Sequence, residues 1–365
     1  DSSLHPRDVE STAPFMSVNY EDWTIPIFRA GEIEQAVLVC NYDGDLDYTN
    51  LKLPEAGEEP GGPVMALAPV GLVRPSGPEG DESDGHLVLY NPEIFTAFDF
   101  WQATTVRDGE CRSQGGGLTG NAVLEAGTVD FFDVRGSGAN PVTYYSARAS
   151  GVPLLAGLLV PEDIEAGAIE HALAVAIPNP RNTNGRRDPS PDDIVYPASQ
   201  VESDFYSTDP FALAQGQRIR LKDMLVIADE SYGESYGVTE AISIDDLPVA
   251  PITRMFLTAL HTDGAYVVDN SGDLTIYAED IHSANLQLTD EEVNGLIGQP
   301  PDASLPSGET KWQILIGQLA EDLTWIPLAA GGSEPWWEYE SLGHNPSNAT
   351  IGYSNFEVIE PASIP

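Results

Sequence analysis

The sequence predicts a mainly β protein, a β-sandwich or jelly roll that carries a small helix-plus-hairpin insert. Three observations carry that expectation. Short runs that alternate apolar with polar residues, or are apolar throughout, recur from end to end. Glycine and proline punctuate them, 34 and 29 in a chain of 365 residues. Only two segments show a clear helical period.

The strands expected in chain order are Ala36 to Tyr42, His86 to Tyr90, Thr128 to Val134, Val152 to Val160 and Ile169 to Ile177. They continue with Arg218 to Ala228, Tyr266 to Asp269, Leu274 to Ala278, Trp312 to Leu319, Thr324 to Leu328 and Thr350 to Ile359. The first helix is expected over Pro251 to Asp263, where Ile252, Met255, Phe256, Ala259 and Leu260 share one face. Pro251 suits its first turn and Gly264 its stop. The second begins at Thr289, with Glu292 completing a capping box, and would bury Val293, Leu296 and Ile297. A shorter turn opens at Pro161 with Glu162 and Asp163, the charge a helix N-terminus favours. Ala265 to Asn270 and Leu274 to Ala278 flank Ser271-Gly272-Asp273 and read as the hairpin of the insert. Loops are expected at Pro54 to Pro63, Pro75 to Gly85 and Pro178 to Pro191. Residues 15–359 read as one β-rich domain, with an internal boundary to be looked for near 180–215. The segments 1–14 and 360–365 read as polar tails that, when ordered, give self-assembly a route.

Composition excludes more than it names. A net charge of -42, from 58 acidic against 16 basic residues, repels nucleic acid and anionic membrane surfaces, both of which are bound through Lys and Arg. No apolar run approaches the roughly 18 residues of a membrane helix, so no membrane insertion is expected. Such acidity suits a solvated surface in high salt, a halophilic setting, where the screening length shortens to about 3 Å at about 1 M. A start at Asp1 without a basic or apolar leader reads as a mature secreted chain, hence an extracellular location. The two cysteines, Cys40 and Cys111, are compatible with one disulfide in an oxidising compartment. Asn348-Ala-Thr350 is a glycosylation sequon.

Segments in the middle of the chain follow one another in a familiar order. They are Asp84-Gly-His-Leu-Val-Leu-Tyr90, Ser146 to Leu159, Ile169-Glu-His-Ala-Leu173, Tyr196-Pro-Ala-Ser199, Gly216 to Lys222, and Arg254 to Leu260 leading to Gly264 to Asn270. In this layout, over roughly residues 84–280, the chain resembles a poorly characterised group of secreted bacterial and archaeal proteins. The resemblance implies a carbohydrate-active β protein. The chain departs from the group at Gly85, where an Asp-Arg-His triplet is expected, and at Arg148, where an aspartate would follow Ser146-Ala147.

Hydrolysis of a glycosidic bond needs two carboxyl groups about 5 to 9 Å apart, one protonated and one ionised. Asp130 and Asp133 lie on one expected strand but point to opposite faces, so both reach one cleft only across a bulge. Glu170 and His171 open another; His171 is either a core histidine or a general base, because a buried imidazole requires a partner. His86 is a second supporting imidazole. Asp269 and Asn270 close a strand where side chains reach a cleft rim, or cap the turn as an Asx motif. Tyr144, Tyr145 and Arg148 are candidates for binding sugar hydroxyls or a uronate carboxylate. Trp336 and Trp337, near Tyr339, and Trp101 after Phe98 and Phe100, are candidates for stacking on sugar rings. Asp43, Asp45 and Asp47 alternate in a manner that suits Ca2+, although no later glutamate completes an EF-hand loop. No other cofactor is implied. The functional expectation is a secreted polysaccharide-degrading enzyme, a glycoside hydrolase ahead of a lyase, whose partner is a glycan. The alternative is an extracellular surface-assembly or non-catalytic glycan-binding protein.

Overall fold

A computed structural model describes residues 16–21, 23–30, 34–41, 65–69, 84–104, 107–110, 119–136, 147–186, 190–201, 203–208, 212–222, 224–228, 238–272, 274–323 and 356–359. The chain is mainly β, as its patterning predicts. The strands are β1 (Met16–Asn19), β2 (Ile27–Arg29), β3 (Glu34–Asn41), β4 (Met65–Pro69), β5 (Leu87–Asn91), β6 (Thr96–Trp101), β7 (Arg107–Glu110) and β8 (Thr119–Ala126). They continue with β9 (Thr128–Asp133), β10 (Leu173–Ile177), β11 (Arg218–Leu221), β12 (Met224–Ala228), β13 (Val238–Ser243), β14 (Ala265–Asn270), β15 (Leu274–Tyr277) and β16 (Phe356–Ile359). The helices are α1 (Pro161–Ala166), α2 (Pro251–Thr262), α3 (Asp290–Leu296) and α4 (Lys311–Leu323).

The largest sheet runs β1-β15-β10-β14-β11-β16, and two four-stranded sheets run β2-β5-β6-β9 and β4-β3-β8-β7. Side-chain parity stacks them in layers, because alternate residues of a strand serve opposite faces. Val175, Val267 and Ile276 of the large sheet pack under Ile252, Phe256 and Leu260 of α2 and Trp312, Leu315 and Leu319 of α4. Its other face presents the small Ala174 and Ala176, with Val268 and Tyr277, to Val88 of β5 and Ala97 of β6. Leu87, Leu89, Phe98 and Phe100, from the opposite face of those same strands, pack on Val37, Val39 and Leu124 of the third sheet. Arg29 also ties the first two layers, donating to Glu279 through both terminal nitrogens at 2.8 and 2.9 Å.

Several elements form as expected. Thr289 and Glu292 make the reciprocal capping box of α3, and Pro251 occupies the first turn of α2. Others differ. Trp312 to Leu319, expected as a strand, lies in the helix α4, whose buried Trp312, Leu315, Ile316, Leu319 and Leu323 fit the helical period. Arg218 to Ala228 is two strands in different sheets. The two strands of the expected hairpin do not pair with each other: β10 lies between them, parallel to β14 and antiparallel to β15. Val152 to Val160 is a buried loop pressed on the backbone of β10, and a Cβ at Gly157 would stand 2.5 Å from the Ala174 nitrogen. Among the described residues no helix is long and apolar enough to cross a membrane. The expected tails 1–14 and 360–365 lie outside the described residues, as does Thr324 to Leu328.

Candidate functional site

Where the gap between the large sheet and the β2-β5-β6-β9 sheet opens at one end, its apolar filling gives way to polar side chains around a cleft of about 640 Å3. The parity that builds the core also builds this cleft. On the extension that precedes β5 the residues in line with Val88 are His86 and Asp84; the Gln102 and Ala103 N–H groups hold that extension by donating to the Asp84 and Gly85 carbonyls at 2.7 and 3.0 Å. On β6 the residue in line with Ala97 that reaches the opening is Trp101, paired in register with Thr128. From the large sheet, Ser17, Asn19, Thr275 and Tyr277 line the opposite wall.

Asp269 reaches that wall through a bulge. Val267 faces the helices, so strict alternation would send Asp269 the same way. The register shifts between Val175 and Ala176, so Asp269 pairs with Ala176 and Val268 is the extra residue. Two successive side chains then face the gap, Val268 in the core and Asp269 in the cleft. Asp269 and Asp84 therefore enter one cleft from facing sheets. Trp101 donates its indole N–H to Asp84 at 3.4 Å.

Arg148, between them in the sequence, lines the same cleft and is 1% exposed. Its Nη1 donates to the Pro153 and Ala156 carbonyls at 2.9 and 3.3 Å, and its guanidinium lies 5.2 Å above the Tyr277 ring. Burial pushes its pKa down from the arginine value, opposed by Tyr277, Asp269 and Asp99. His86 Nε2 lies 3.0 Å from the Ala147 carbonyl, which can only accept, so Nε2 carries the proton. Burial pushes the His86 imidazole below its ordinary value and keeps it neutral, with Arg148 acting in the same direction and Asp84 against it. Burial also raises the Tyr277 phenol well above its usual value, and Asp269 adds to the rise.

Beneath Trp101 and Thr128 the next pair on the same face is Asp99 opposite Asp130, both 1% exposed. Asp130 accepts the Ala147 N–H at 3.0 Å and Asp99 accepts the Leu154 N–H at 2.6 Å. The two carboxyls thus hold both ends of the loop that carries Arg148. Burial pushes Asp99 up to about 7, against the lowering effect of the Leu154 bond, and the Asp130 charge adds to the rise. The rim is aromatic: Trp23 is 48% and Phe205 63% exposed, with Asp204 beside it. Trp23 has φ +55°, a left-handed conformation that bulky residues rarely adopt.

Of the residues singled out by sequence, His86, Arg148, Asp269 and Asn270 converge here with Trp101. Asp130 lies behind the cleft and not in it. Asp133, on the opposite parity, points to solvent and pairs with Arg135, with two hydrogen bonds of 2.9 and 2.8 Å that lower its pKa to about 2. Glu170 is exposed before β10 begins, and His171 reaches not the cleft but Asp163 of α1, whose hydrogen bond raises its pKa. Arg148 does not offer its guanidinium to a ligand, because it is buried on backbone carbonyls. Tyr144, Tyr145, Trp336, Trp337, the candidate calcium ligands Asp43, Asp45 and Asp47, and Cys111 of the expected disulfide lie outside the described residues, whereas Cys40 lies in β3. Among the described residues no group of three or more acidic, His or Cys side chains gathers to hold a metal. Asp84, Asp99, Asp204, Trp23, Phe205 and Tyr277 are site residues that the patterning did not single out. Compared with family models, curated proteins and solved structures, the chain matches none.

Proposed function

We propose that the chain is a secreted glycoside hydrolase acting on polysaccharide. The observation that supports this reading is the entry of two carboxylates, Asp84 and Asp269, from facing sheets into one cleft rimmed by Trp23, Trp101 and Phe205. In hydrolysis the bond from the anomeric carbon to the glycosidic oxygen breaks, one carboxylic acid gives its proton to the leaving oxygen, and water adds its hydroxyl to the anomeric carbon while its remaining proton passes to the second carboxylate. Asp269, within electrostatic reach of the Arg148 guanidinium, suits the ionised role. Asp84, the carboxyl group facing it across the cleft, is left for the proton-giving role. Ser17, Asn19 and Gln200 line the same space with groups of the kind that hydrogen-bond sugar hydroxyls.

The test is release of reducing ends over a panel of polysaccharides by the full chain. Product is expected from at least one substrate, and Asp269→Asn and Asp84→Asn are each expected to lower the rate by at least about a hundredfold, the lower range of a general acid or base. Binding without product identifies a glycan-binding protein in place of an enzyme. No product and no binding, or full activity in both variants, removes the proposal.

A further inference from the structure

We infer that the cleft takes a glycan without acidic groups and excludes polyuronates, an inference that rests on the glycoside hydrolase reading and names its substrate class. Three carboxylates line the cleft, Asp84, Asp204 and Asp269. Against them, among the described residues that line it, the cationic and titratable nitrogen groups are only Arg148 and His86. Both are engaged with the protein itself. Arg148, 1% exposed, faces the Pro153, Leu154 and Ala156 carbonyls on one side and the Tyr277 ring on the other. His86, 3% exposed, spends its Nε2 proton on the Ala147 carbonyl.

A uronate carboxylate entering here meets three carboxyl groups and, among the described residues of the lining, only an arginine already held on backbone carbonyls. Removing its hydration without a partner is costly. The same absence bears on chemistry. A lyase removes the proton next to a uronate carboxylate and expels the glycosidic oxygen, and the electron pair left on carbon is held only while a cation or strong donor neutralises that carboxylate. Hydrolysis makes no such demand, because its developing charge is positive at the anomeric carbon and carboxylates stabilise it.

What the cleft does offer suits uncharged sugar rings. Trp23 and Phe205 stand exposed on its rim, and Trp23 is held outward in a left-handed backbone conformation that costs energy unless something is gained by it. Flat aromatic faces there pack on the C–H faces of pyranose rings, with the amides of Asn19, Gln200 and Asn270 within the same lining for the hydroxyls.

The experiment is titration of the full chain with cellohexaose, xylohexaose and mannohexaose against hexagalacturonate and hexaguluronate, followed by calorimetry and tryptophan fluorescence. It is run in about 1 M NaCl, where screening within about 3 Å suppresses the field of the whole acidic molecule and leaves direct contacts. At least one neutral hexasaccharide is expected to bind at least about tenfold more tightly than either uronate. Trp23→Ala is expected to weaken that binding about tenfold, and Phe205→Ala, at the more exposed position, serves where the first variant fails to fold. Equal or tighter binding of a uronate, with cleavage of either substrate, overturns the charge selectivity and leaves the hydrolase reading standing. Absence of binding and cleavage for every oligosaccharide overturns both.

Discussion

Asp99 and Asp130 stand opposite each other on neighbouring strands with both carboxyls out of water, and two ionised groups so placed repel without screening. A proton on Asp99 removes the repulsion while its other oxygen still accepts the Leu154 N–H. The sign of the pH effect follows from the raised pKa. The folded chain holds a proton that the unfolded chain releases near 3.8, so stability from this site is full below that value and is lost as pH climbs to about 7. Asp99→Asn mimics the protonated form at every pH. Relative to wild type it is expected to gain on the order of 2 to 3 kcal/mol between about pH 5 and about pH 8 in urea unfolding. A difference that does not change with pH contradicts a protonated Asp99. In the cleft above, His86, Arg148, Asp269 and Asn270 are legible in the sequence because each is polar inside or at the end of an apolar run. Asp133 and Glu170 look the same on that criterion. What separates them is parity and the bulge at Val268, neither of which short-range pattern reveals. Between Asp84 and His86 the glycine has a local cause: the φ of Gly85 is +56°, and a Cβ there would lie 3.1 Å from the Gln102 Cα. A side chain at this position does not fit the backbone, and Asp84 and His86 on either side of it line the cleft.

At the scale of elements, helix α2 shows how one segment completes another. Its N-cap residue, Ala250, has no side chain able to cap, and Asp322 of α4 supplies one from across the helix layer. That carboxylate accepts the Ala250 N–H at 2.8 Å and the Thr253 hydroxyl at 2.6 Å, and it suits the positive end of the helix. Asp322→Ala is expected to cost about 1 to 2 kcal/mol of unfolding free energy, with Asp322→Asn intermediate, in denaturant titration. Unchanged stability in the alanine variant rules out the cap. The helix α2 itself is plain in the sequence, since its apolar stripe, first-turn proline and terminal glycine agree. The helix α4 is not: Trp312, Ile314 and Ile316 satisfy a period of two while Trp312, Leu315, Ile316 and Leu319 satisfy that of a helix, and only the neighbouring α2 decides. The split of the expected hairpin is equally invisible locally. Its short turn would serve a hairpin, but β10, made of small and branched apolar residues, fills the place between β14 and β15.

For the whole molecule, the net negative charge acts on the fold. With -42 spread over 365 residues, compaction brings like charges together, and this repulsion is a term that unfolding relieves. Local pairs do little against it. Arg135 with Asp133 is largely exposed, and Arg29 is shared between Glu279 and Glu162. The layered core, with the β5 and β6 strands buried on both faces, supplies the opposing term, and it does not depend on charge. Added salt therefore separates the two contributions. Between about 0.1 M and 1 M NaCl the screening length shortens from about 10 Å to about 3 Å. The expectation is a melting temperature that rises steeply over that range and flattens beyond it, at about 2 °C for each kcal/mol of repulsion relieved. KCl should match NaCl at equal ionic strength, whereas sucrose, which strengthens burial without screening, should lack the steep early rise. A melting temperature that is flat or falling up to 1 M salt would show that the acidic surface does not oppose folding, and that the carboxylates are already neutralised within the native chain.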